Sequence, residues 1–274
     1  MEHKTIKFTP DGRVRLQTYI LNQTLNGNPC PNRPAIIILP GGAFTFLSET
    51  EAEPVALTFA KEGFNTFVLH YSVGDYSVFP NPLDDVSKAI WEVRRNAGKW
   101  GIKPKQIALM GFSAGACISA MSATQWNTPG LAQRLGIPEE GIKPNAAVIG
   151  YGASLLSTIF DNTEGEELIV PQPGKISADR TPELDVVNYV GPHTAPMFFW
   201  HNRYDKYVPV INPILMAEKM SKHKLPFELH IFQSGEHGMS VSNSLSSPSG
   251  ERIDESVGLW VRLCSMWLKK LFAE

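Results

Sequence analysis

The chain has 274 residues, of which 43% are hydrophobic and 19% charged, and its formal charge is −2. This composition excludes collagen-like, coiled-coil and disordered chains, and the length is sufficient for one domain over residues 1–274 without a metal or disulfide staple. Lysine and arginine do not outnumber aspartate and glutamate, so we expect no nucleic-acid partner, since binding a phosphate backbone requires a basic excess.

The N-terminal segment predicts an antiparallel strand. Residues 14–20 alternate apolar and polar side chains directly after the turn Pro10-Asp11-Gly12, which is typical of an antiparallel edge strand. The residues before this turn contain no apolar core, so we expect no signal peptide. No stretch approaches the ~20 apolar residues of a membrane span. We therefore expect a cytoplasmic protein without a membrane partner.

Further along the chain, short apolar runs predict a buried parallel sheet. Continuous apolar runs bounded by glycine and proline are typical of strands that are covered on both faces. Such runs occupy residues 35–39, 67–69, 107–110, 146–149 and 197–200.

Helical patterns lie between these strands. Asn81-Pro82 predicts a capped helix start, and apolar residues follow it at spacings of three and four. Asn212-Pro213 predicts a second helix start, and residues 253–271 carry a wide apolar stripe. Alternating strands and helices imply right-handed β-α-β units. The expected fold class is therefore α/β, with a mostly parallel central sheet, helices on both faces and an antiparallel N-terminal edge.

One stretch, residues 154–189, interrupts this alternation. It has little periodicity and contains several prolines. A long irregular loop inside a compact domain is often an active-site lid or a binding loop, so we predict a lid or loop insertion here. A surface excursion without a role is the alternative.

The sharpest motif is Gly111-Phe112-Ser113-Ala114-Gly115, which lies between the predicted strand at 107–110 and a predicted helix. A strand that turns this sharply into a helix strains the backbone at Ser113 and requires small neighbours, as in a nucleophile elbow. The turn places the Ser113 hydroxyl at a helix N-terminus, where partial positive charge favours a developing anion.

A serine hydroxyl needs a base to become nucleophilic at neutral pH. His237 is favoured among the seven histidines because it follows the predicted strand at 227–232, and open α/β sheets bind ligands at the carboxyl ends of their strands. Asp205, after the strand at 197–200, is the candidate acid that fixes the tautomer of the histidine. Asp179 and Asp185 are rivals within the irregular stretch.

Acyl transfer also requires hydrogen-bond donors for the oxyanion. Pro40-Gly41-Gly42-Ala43-Phe44 directly follows the strand at 35–39, and its glycines let the backbone approach a substrate. We expect the amides of Gly41, Gly42, Ala43 and Ala114 to form the oxyanion hole. A plain tight turn at residues 40–44 is the alternative.

No motif indicates a metal or cofactor. The three cysteines lie far apart, which disfavours a disulfide framework or a zinc cage. The sequence contains no Gly-x-x-x-x-Gly-Lys loop, no dinucleotide fingerprint after a strand and no His-Glu-x-x-His. We therefore expect neither a nucleotide cofactor nor a metal.

Together these residues resemble the α/β-hydrolase superfamily, in which the triad members follow the order Ser, Asp, His along the chain. More narrowly, the chain is similar to the bacterial esterase/lipase branch that includes acetylxylan and other carbohydrate acetyl esterases. The similarity runs from about residue 34 to 272 and rests on Leu39-Pro40-Gly41-Gly42, Ser48-x-x-Glu51-Ala52-Glu53-Pro54, Tyr71-Ser72-Val73, Pro82-Leu83-x-Asp85-Val86, the motif around Ser113, Asp205-x-x-Val208-Pro209 and Glu236-His237-Gly238.

The resemblance implies hydrolysis of small carboxylic esters of the acetyl type, with acetylated sugars as candidate substrates. Ser113 attacks the carbonyl, His237 takes its proton, and water then releases the acid from an acyl-enzyme. Many relatives carry His-Gly-Gly-Gly where this chain has Pro40-Gly41-Gly42-Ala43, and a second glycine where it has Ala116. Both differences narrow the space for an acyl group. Relatives often form dimers or larger assemblies, so a homo-oligomer remains open.

Three apolar side chains near the predicted site are candidates for substrate binding: Phe44, Phe46 and Met239. The alternative is that they belong to the ordinary core. Two other functions stay open. A serine peptidase for short peptides would share the elbow and the triad order, although such enzymes usually add a propeller or large cap. A ligand-binding protein on a hydrolase scaffold would be expected to lose a triad member.

Overall fold

The structure is a computed structural model and describes residues 1–156 and 185–273. In these residues an eight-stranded sheet forms the centre of the fold. Its strands are β1 (Glu2–Lys7), β2 (Arg15–Ile20), β3 (Arg33–Leu39), β4 (Asn65–His70), β5 (Ile102–Phe112), β6 (Ala146–Gly150), β7 (Met197–Asn202) and β8 (Phe227–Phe232). They lie side by side in the order β1-β2-β4-β3-β5-β6-β7-β8. The pairs β1–β2 and β2–β4 are antiparallel and the other pairs are parallel.

Helices cover both faces of this sheet. They are α1 (Glu53–Lys61), α2 (Asn81–Arg95), α3 (Ala114–Gln125), α4 (Leu131–Leu135), α5 (Glu139–Ile142), α6 (Ile211–Lys222) and α7 (Glu255–Leu271). Apolar side chains of α2, α3 and α6 share one buried cluster, and those of α1 and α7 share the other. The predicted α/β class, with a mostly parallel sheet between two helical layers, is confirmed.

The continuous apolar strands are explained by this double covering. Ile36 and Ile38 of β3 belong to the cluster under α1 and α7, whereas Ile37 and Leu39 belong to the cluster under α2, α3 and α6. Successive side chains of a strand point to opposite faces, so both faces of a doubly covered strand must be apolar.

The cluster under α1 and α7 is rich in aromatic rings. The indoles of Trp200 on β7 and Trp260 on α7 stack with their centroids 4.7 Å apart and their planes 12° apart. Phe112, at the end of β5, meets the Trp260 ring edge-on at 5.9 Å. These buried rings lie close to the carboxyl edge of the sheet, where β5 and β7 end.

The predicted edge strand is not the edge of the sheet in the structure. β2, which occupies the predicted segment, pairs with β1 on one side and with β4 on the other, so the antiparallel edge is β1. All of β1 except Ile6 is exposed. Because this strand buries so little, its sequence lacks the apolar period that would have identified it.

Two helix starts also differ from prediction. α2 begins at Asn81 itself, and the Asn81 side chain donates to the Tyr76 carbonyl at 3.2 Å instead of capping the helix. α6 begins at Ile211, one residue before Asn212. The buried amide of Asn212 donates to the Pro209 carbonyl at 3.0 Å and accepts from the Leu155 N–H at 2.7 Å. Both side chains therefore bind neighbouring loops.

The predicted insertion at 154–189 lies mostly outside the described residues, which omit 157–184. Its two described ends meet, since the Val186 N–H donates to the Ser154 carbonyl at 2.8 Å. A lid in this stretch and the single-domain organisation stay predictions. Among residues 1–156 and 185–273, no helix has both the length and the apolar character needed to cross a membrane.

Candidate active site

Ser113 lies at the junction of β5 and α3, at the carboxyl edge of the sheet. Its φ of 51° and ψ of −119° form a strained conformation for a residue with a side chain. The Ser113 N–H donates to the Gly150 carbonyl at 3.0 Å, and its carbonyl accepts from the amides of Ala116 and Cys117, both at 3.1 Å. The neighbouring backbone thus holds the strained turn that the motif predicts.

The glycines of the motif are required by close packing of the main chain. A Cβ at Gly111 would overlap the carbonyl oxygen of Gly115, and a Cβ at Gly115 would overlap the carbonyl oxygen of Leu39. The start of α3 is therefore pressed against the ends of β5 and β3. Only residues without a side chain permit this approach.

Three side chains distant in sequence meet above this turn. His237 Nε2 lies 2.8 Å from Ser113 Oγ, and His237 Nδ1 lies 2.7 Å from Asp205 Oδ2. Since an ionised carboxylate only accepts, Nδ1 carries the hydrogen and Nε2 accepts from the serine hydroxyl, a tautomer assigned from these partners. The structure thus brings Ser113, His237 and Asp205 into one hydrogen-bonded chain.

Asp205 is held as a buried carboxylate. Its side chain is fully shielded from solvent, and Oδ1 accepts from the amides of Tyr207 and Val208, both at 2.9 Å. Burial by itself raises the pKa of Asp205, but the bonds from His237 and Val208 outweigh it, and the net pKa lies below the ordinary value. Of the rival acids, Asp185 begins the turn Val186–Tyr189 and Asp179 lies outside the described residues.

The loop after β3 lies beside Ser113. Gly42, Ala43 and Phe44 all have positive φ, at 125°, 50° and 61°, so the chain turns back on itself here. Among the described residues, the amides of Gly42, Ala43 and Ala114 have no hydrogen-bond partner. They remain available to an oxyanion. The Gly41 amide, which was also predicted as an oxyanion donor, donates to Glu51 Oε2 at 2.6 Å. It is therefore not a free donor.

Comparison with known proteins identifies the family of the chain. Residues 23–220 match the BD-FAE family. The chain belongs to the BD-FAE family. Two solved structures share its architecture. MGS-M1, an α/β-hydrolase enzyme from a Medee basin deep-sea metagenome library, is 31% identical with a TM-score of 0.77, covering 100% of this chain and 99% of that one. The carboxylesterase Cest-2923 from Lactobacillus plantarum WCFS1 is 26% identical with a TM-score of 0.83, covering 98% and 96%. The predicted α/β-hydrolase fold is confirmed.

The chain spans half or less of the length of the curated relatives that it matches. It is 26% identical to an acetylxylan esterase from Xylanibacter ruminicola over 94% of this chain and 50% of that protein. It is 31% identical to an endo-1,4-beta-xylanase B from Butyrivibrio fibrisolvens over 77% of this chain and 33% of that protein. The predicted resemblance to an esterase branch of the superfamily is confirmed.

A second histidine, His201, lies under the acid of the BD-FAE site. It is fully buried, its Nε2–H donates to the Val208 carbonyl at 2.8 Å, and the same nitrogen lies 3.6 Å from Asp205 Oδ2. Burial lowers the pKa of His201 below its ordinary value, which disfavours the charged form of the ring. The sequence contains a signal for it, because His201 directly follows the apolar run at residues 197–200.

Side chains from several elements fix the histidine loop. The buried Asn202 side chain donates to the Glu236 carbonyl at 2.6 Å, and Arg252 donates to the Gly238 carbonyl at 3.4 Å. The His237 ring lies between two tyrosines, with the centroid of Tyr151 at 4.9 Å and that of Tyr207 at 5.4 Å. Tyr207 is 59% exposed and forms part of the rim of the site.

The predicted substrate-binding side chains have different environments. Phe44 and Met239 are buried within the two apolar clusters, as the alternative of ordinary core would have them, whereas Phe46 is 60% exposed. Their contact with substrate stays a prediction. In the part of the chain that the structure describes, no His, Cys, Asp or Glu side chains form a group of three that could hold a metal ion.

Sequence reasoning missed Glu51 and Tyr151. Glu51 is named above only within the segment Ser48-x-x-Glu51-Ala52-Glu53-Pro54, without a role, and Tyr151 directly follows β6. For Tyr151 the available signal is its place at the carboxyl end of a buried parallel strand, since binding sites gather at that edge. Their contacts connect the two loops of the site.

Proposed function

We propose that this BD-FAE chain is a serine carboxylic-ester hydrolase whose catalytic residues are Ser113, His237 and Asp205. The observation that carries the proposal is the hydrogen-bonded chain from Ser113 Oγ to His237 at 2.8 Å and from His237 to Asp205 at 2.7 Å. A serine, an imidazole and a buried carboxylate at these distances form an activated nucleophile. The esterases among its relatives support the same activity.

In the proposed reaction, Ser113 Oγ attacks the ester carbonyl while its proton moves to His237 Nε2. The amides of Gly42, Ala43 and Ala114 donate to the oxyanion, and Asp205 stabilises the imidazolium. The imidazolium then protonates the leaving alcohol, which leaves an acyl-Ser113. Water, deprotonated by His237, attacks the acyl-enzyme, and the carboxylic acid departs as Ser113 recovers its proton.

We infer that the substrates carry a small acyl group and that acetylated sugars are among them. Ala43, in the loop beside Ser113, carries a methyl group where many relatives have a glycine, so the space beside the proposed oxyanion hole is restricted. The exposed rings of Phe46 and Tyr207 offer apolar faces for a sugar. One relative is an acetylxylan esterase. Phe44 and Met239 remain proposed substrate-binding residues.

The experiment that tests this function is the Ser113→Ala variant assayed with p-nitrophenyl acetate. We expect turnover to disappear in a folded protein, together with covalent labelling by a fluorophosphonate. Ser122→Ala, at a buried position on the same helix, is the control and is expected to keep both. Turnover by folded Ser113→Ala would contradict the proposal, and a wild-type chain that does not react with the probe would indicate a binding protein.

Substrate range needs a separate comparison. p-Nitrophenyl esters of increasing chain length are compared with a panel of acetylated sugars. We expect kcat/KM to fall steeply beyond acetyl and propionyl esters and to be higher for the acetylated sugars. A preference for long acyl chains would contradict the small acyl site.

A further inference from the structure

Glu51 is a buried carboxyl group next to the catalytic machinery. It ends the short turn Glu49–Glu51 and is only 4% exposed. Oε2 accepts from the Gly41 N–H and Oε1 accepts from the Tyr151 hydroxyl, both at 2.6 Å. Burial raises the pKa of Glu51, while the hydrogen bonds from Tyr151 and Gly41 act in the opposite direction. A carboxyl group in such a place is costly unless each oxygen has a partner.

Tyr151 connects this carboxyl group to the histidine. Its hydroxyl donates to Glu51 and accepts from the Ser240 N–H at 3.1 Å. Its ring meets the His237 ring edge-on, with the centroids 4.9 Å apart. Tyr151 is fully buried and has a φ of 37°, an unusual backbone for a bulky residue. One side chain therefore contacts the histidine ring, the histidine loop and Glu51.

A second set of bonds reinforces the same connection. The Ser240 hydroxyl donates to the Thr50 carbonyl at 2.6 Å, next to Glu51 in the chain, and the Trp260 indole N–H donates to the Ser240 carbonyl at 2.8 Å. The loop that carries His237 and the turn that carries Glu51 are thus bonded directly. Gly41 joins this turn to the proposed oxyanion hole, since Gly42 and Ala43 follow it immediately.

We propose that Glu51 is a positioning residue of the hydrolytic reaction, which with Tyr151 fixes the amides of Gly42 and Ala43 relative to His237. The inference rests on the proposed function. Glu51 binds the amide that precedes the free donors, so it sets the direction of this loop. Oxyanion donors accelerate a reaction only when they are preorganised. The Gly41 bond that removes one predicted donor serves to aim the next two.

The test compares Glu51→Gln, Tyr151→Phe and the double variant with p-nitrophenyl acetate. Active sites are counted by the stoichiometry of fluorophosphonate labelling, so that kcat refers only to folded molecules. We expect kcat per active site to fall by about 10- to 100-fold in Glu51→Gln, the effect of a small misplacement of catalytic groups, with KM nearly unchanged. A residue that only stabilises the fold would not change kcat per labelled site.

Tyr151→Phe keeps the ring on His237 and removes the hydroxyl. We expect a smaller loss of kcat, and we expect the double variant to be no slower than Glu51→Gln by more than about twofold, because residues that act as a unit are not additive. A double variant with the product of both losses would overturn the proposed unit.

Asp85→Asn is the matched control. Asp85 is 5% exposed and, like Glu51, accepts from an amide and a hydroxyl, those of Ser72 at 3.0 and 2.6 Å. We expect a lower thermal midpoint with unchanged kcat per site. Wild-type kcat in Glu51→Gln would overturn the proposal, and if that variant does not fold, wild-type kcat in Tyr151→Phe would do so. Neither result affects the Ser113→Ala test, whose failure would instead remove the hydrolytic function.

Discussion

The two sides of the candidate site are held in place by different physical means. On the nucleophile side, the main chain itself is packed too closely for side chains. A Cβ at Gly41 would lie 2.9 Å from the Phe112 carbonyl oxygen, and those at Gly111 and Gly115 would overlap carbonyl oxygens. This side therefore depends on the absence of side chains at these three glycines.

On the histidine side, polar side chains hold loops whose backbones have more room. Added Cβ atoms at Gly235 and Gly238 would approach only side-chain atoms, none closer than 3.0 Å. Asp205 accepts from two amides of its own loop, and Asn202 and Arg252 bond the loop of His237. The difference predicts that a side chain added at these glycines acts on folding, while the removal of a polar side chain on the histidine side also acts on rate.

The largest expected effect is that of Gly115→Ala. Its Cβ would overlap the Leu39 carbonyl oxygen of β3, and the main chain there cannot move without separating β3 from β5. We expect a loss of more than about 4 kcal/mol in the free energy of unfolding, seen as a lack of folded protein by circular dichroism. Gly98→Ala, where nothing lies within 4 Å of the added atom, is the control. A well-folded Gly115→Ala variant would show that close main-chain packing does not limit the nucleophile side.

Asp205→Asn comes next and affects rate instead of folding. The amide oxygen of asparagine still accepts from Tyr207 and Val208, so we expect a thermal midpoint close to that of the wild type. The amide no longer requires the hydrogen of His237 at Nδ1, and the wrong tautomer lowers kcat/KM by about 10³- to 10⁴-fold. The assay is p-nitrophenyl acetate hydrolysis beside a melting curve. If Asp205→Asn did not fold, Asp205 would be required for the stability of the fold and not only for the rate.

Asn202→Ala is expected to have a smaller effect on rate. It removes the bond to the Glu236 carbonyl next to His237, and we expect kcat to fall by about tenfold through misplacement of the imidazole. Asn65→Ala is the matched control, since Asn65 is also buried and bonds two backbone groups, at Leu21 and Trp100. Both variants lose stability, but only Asn202→Ala is expected to lose kcat. Equal kcat values for Asn202→Ala and Asn65→Ala would show that the bond from Asn202 does not position the imidazole.

The smallest expected effect is a pH dependence of stability from His201. Burial lowers the pKa of His201 in the folded state below the ordinary 6.5. On acidification, His201 therefore binds a proton more readily in the unfolded chain than in the folded chain. The free energy of unfolding therefore falls between pH 7 and pH 5, by at most about 1.4 kcal/mol per pH unit from this group. We expect His201→Gln to lose less thermal stability over this range than the wild type. An identical loss in both would exclude His201 as its source.

The sequence predicts those parts of the site that depend on local motifs. Ser113 is identified by glycines that a sharp turn requires, and His237 and Asp205 by their places after strands of a parallel sheet. The role of Gly41 is not predictable in this way. Its amide is bound by a carboxylate ten residues later, and only the folded turn at Glu49–Glu51 brings that group back to the loop.

The fold is predictable where burial leaves a period in the sequence. The doubly covered strands β3 to β7 are read directly from their apolar runs, whereas β1 is missed because its side chains face solvent. Asn81 and Asn212 have the sequence pattern of helix caps but bond to neighbouring loops instead. A short polar side chain satisfies either kind of backbone group, and tertiary contacts decide between them.

The stacked indoles of Trp200 and Trp260 give the molecule an internal optical reporter. Indoles whose centroids lie 4.7 Å apart are close enough to couple their electronic transitions, so we expect the near-ultraviolet circular dichroism to depend on their mutual orientation. Because the Trp260 N–H is bonded to the Ser240 carbonyl, a displacement of the loop that carries the imidazole alters this signal. If the proposed acylation of Ser113 displaces that loop, we expect it to be visible in this signal without an added dye.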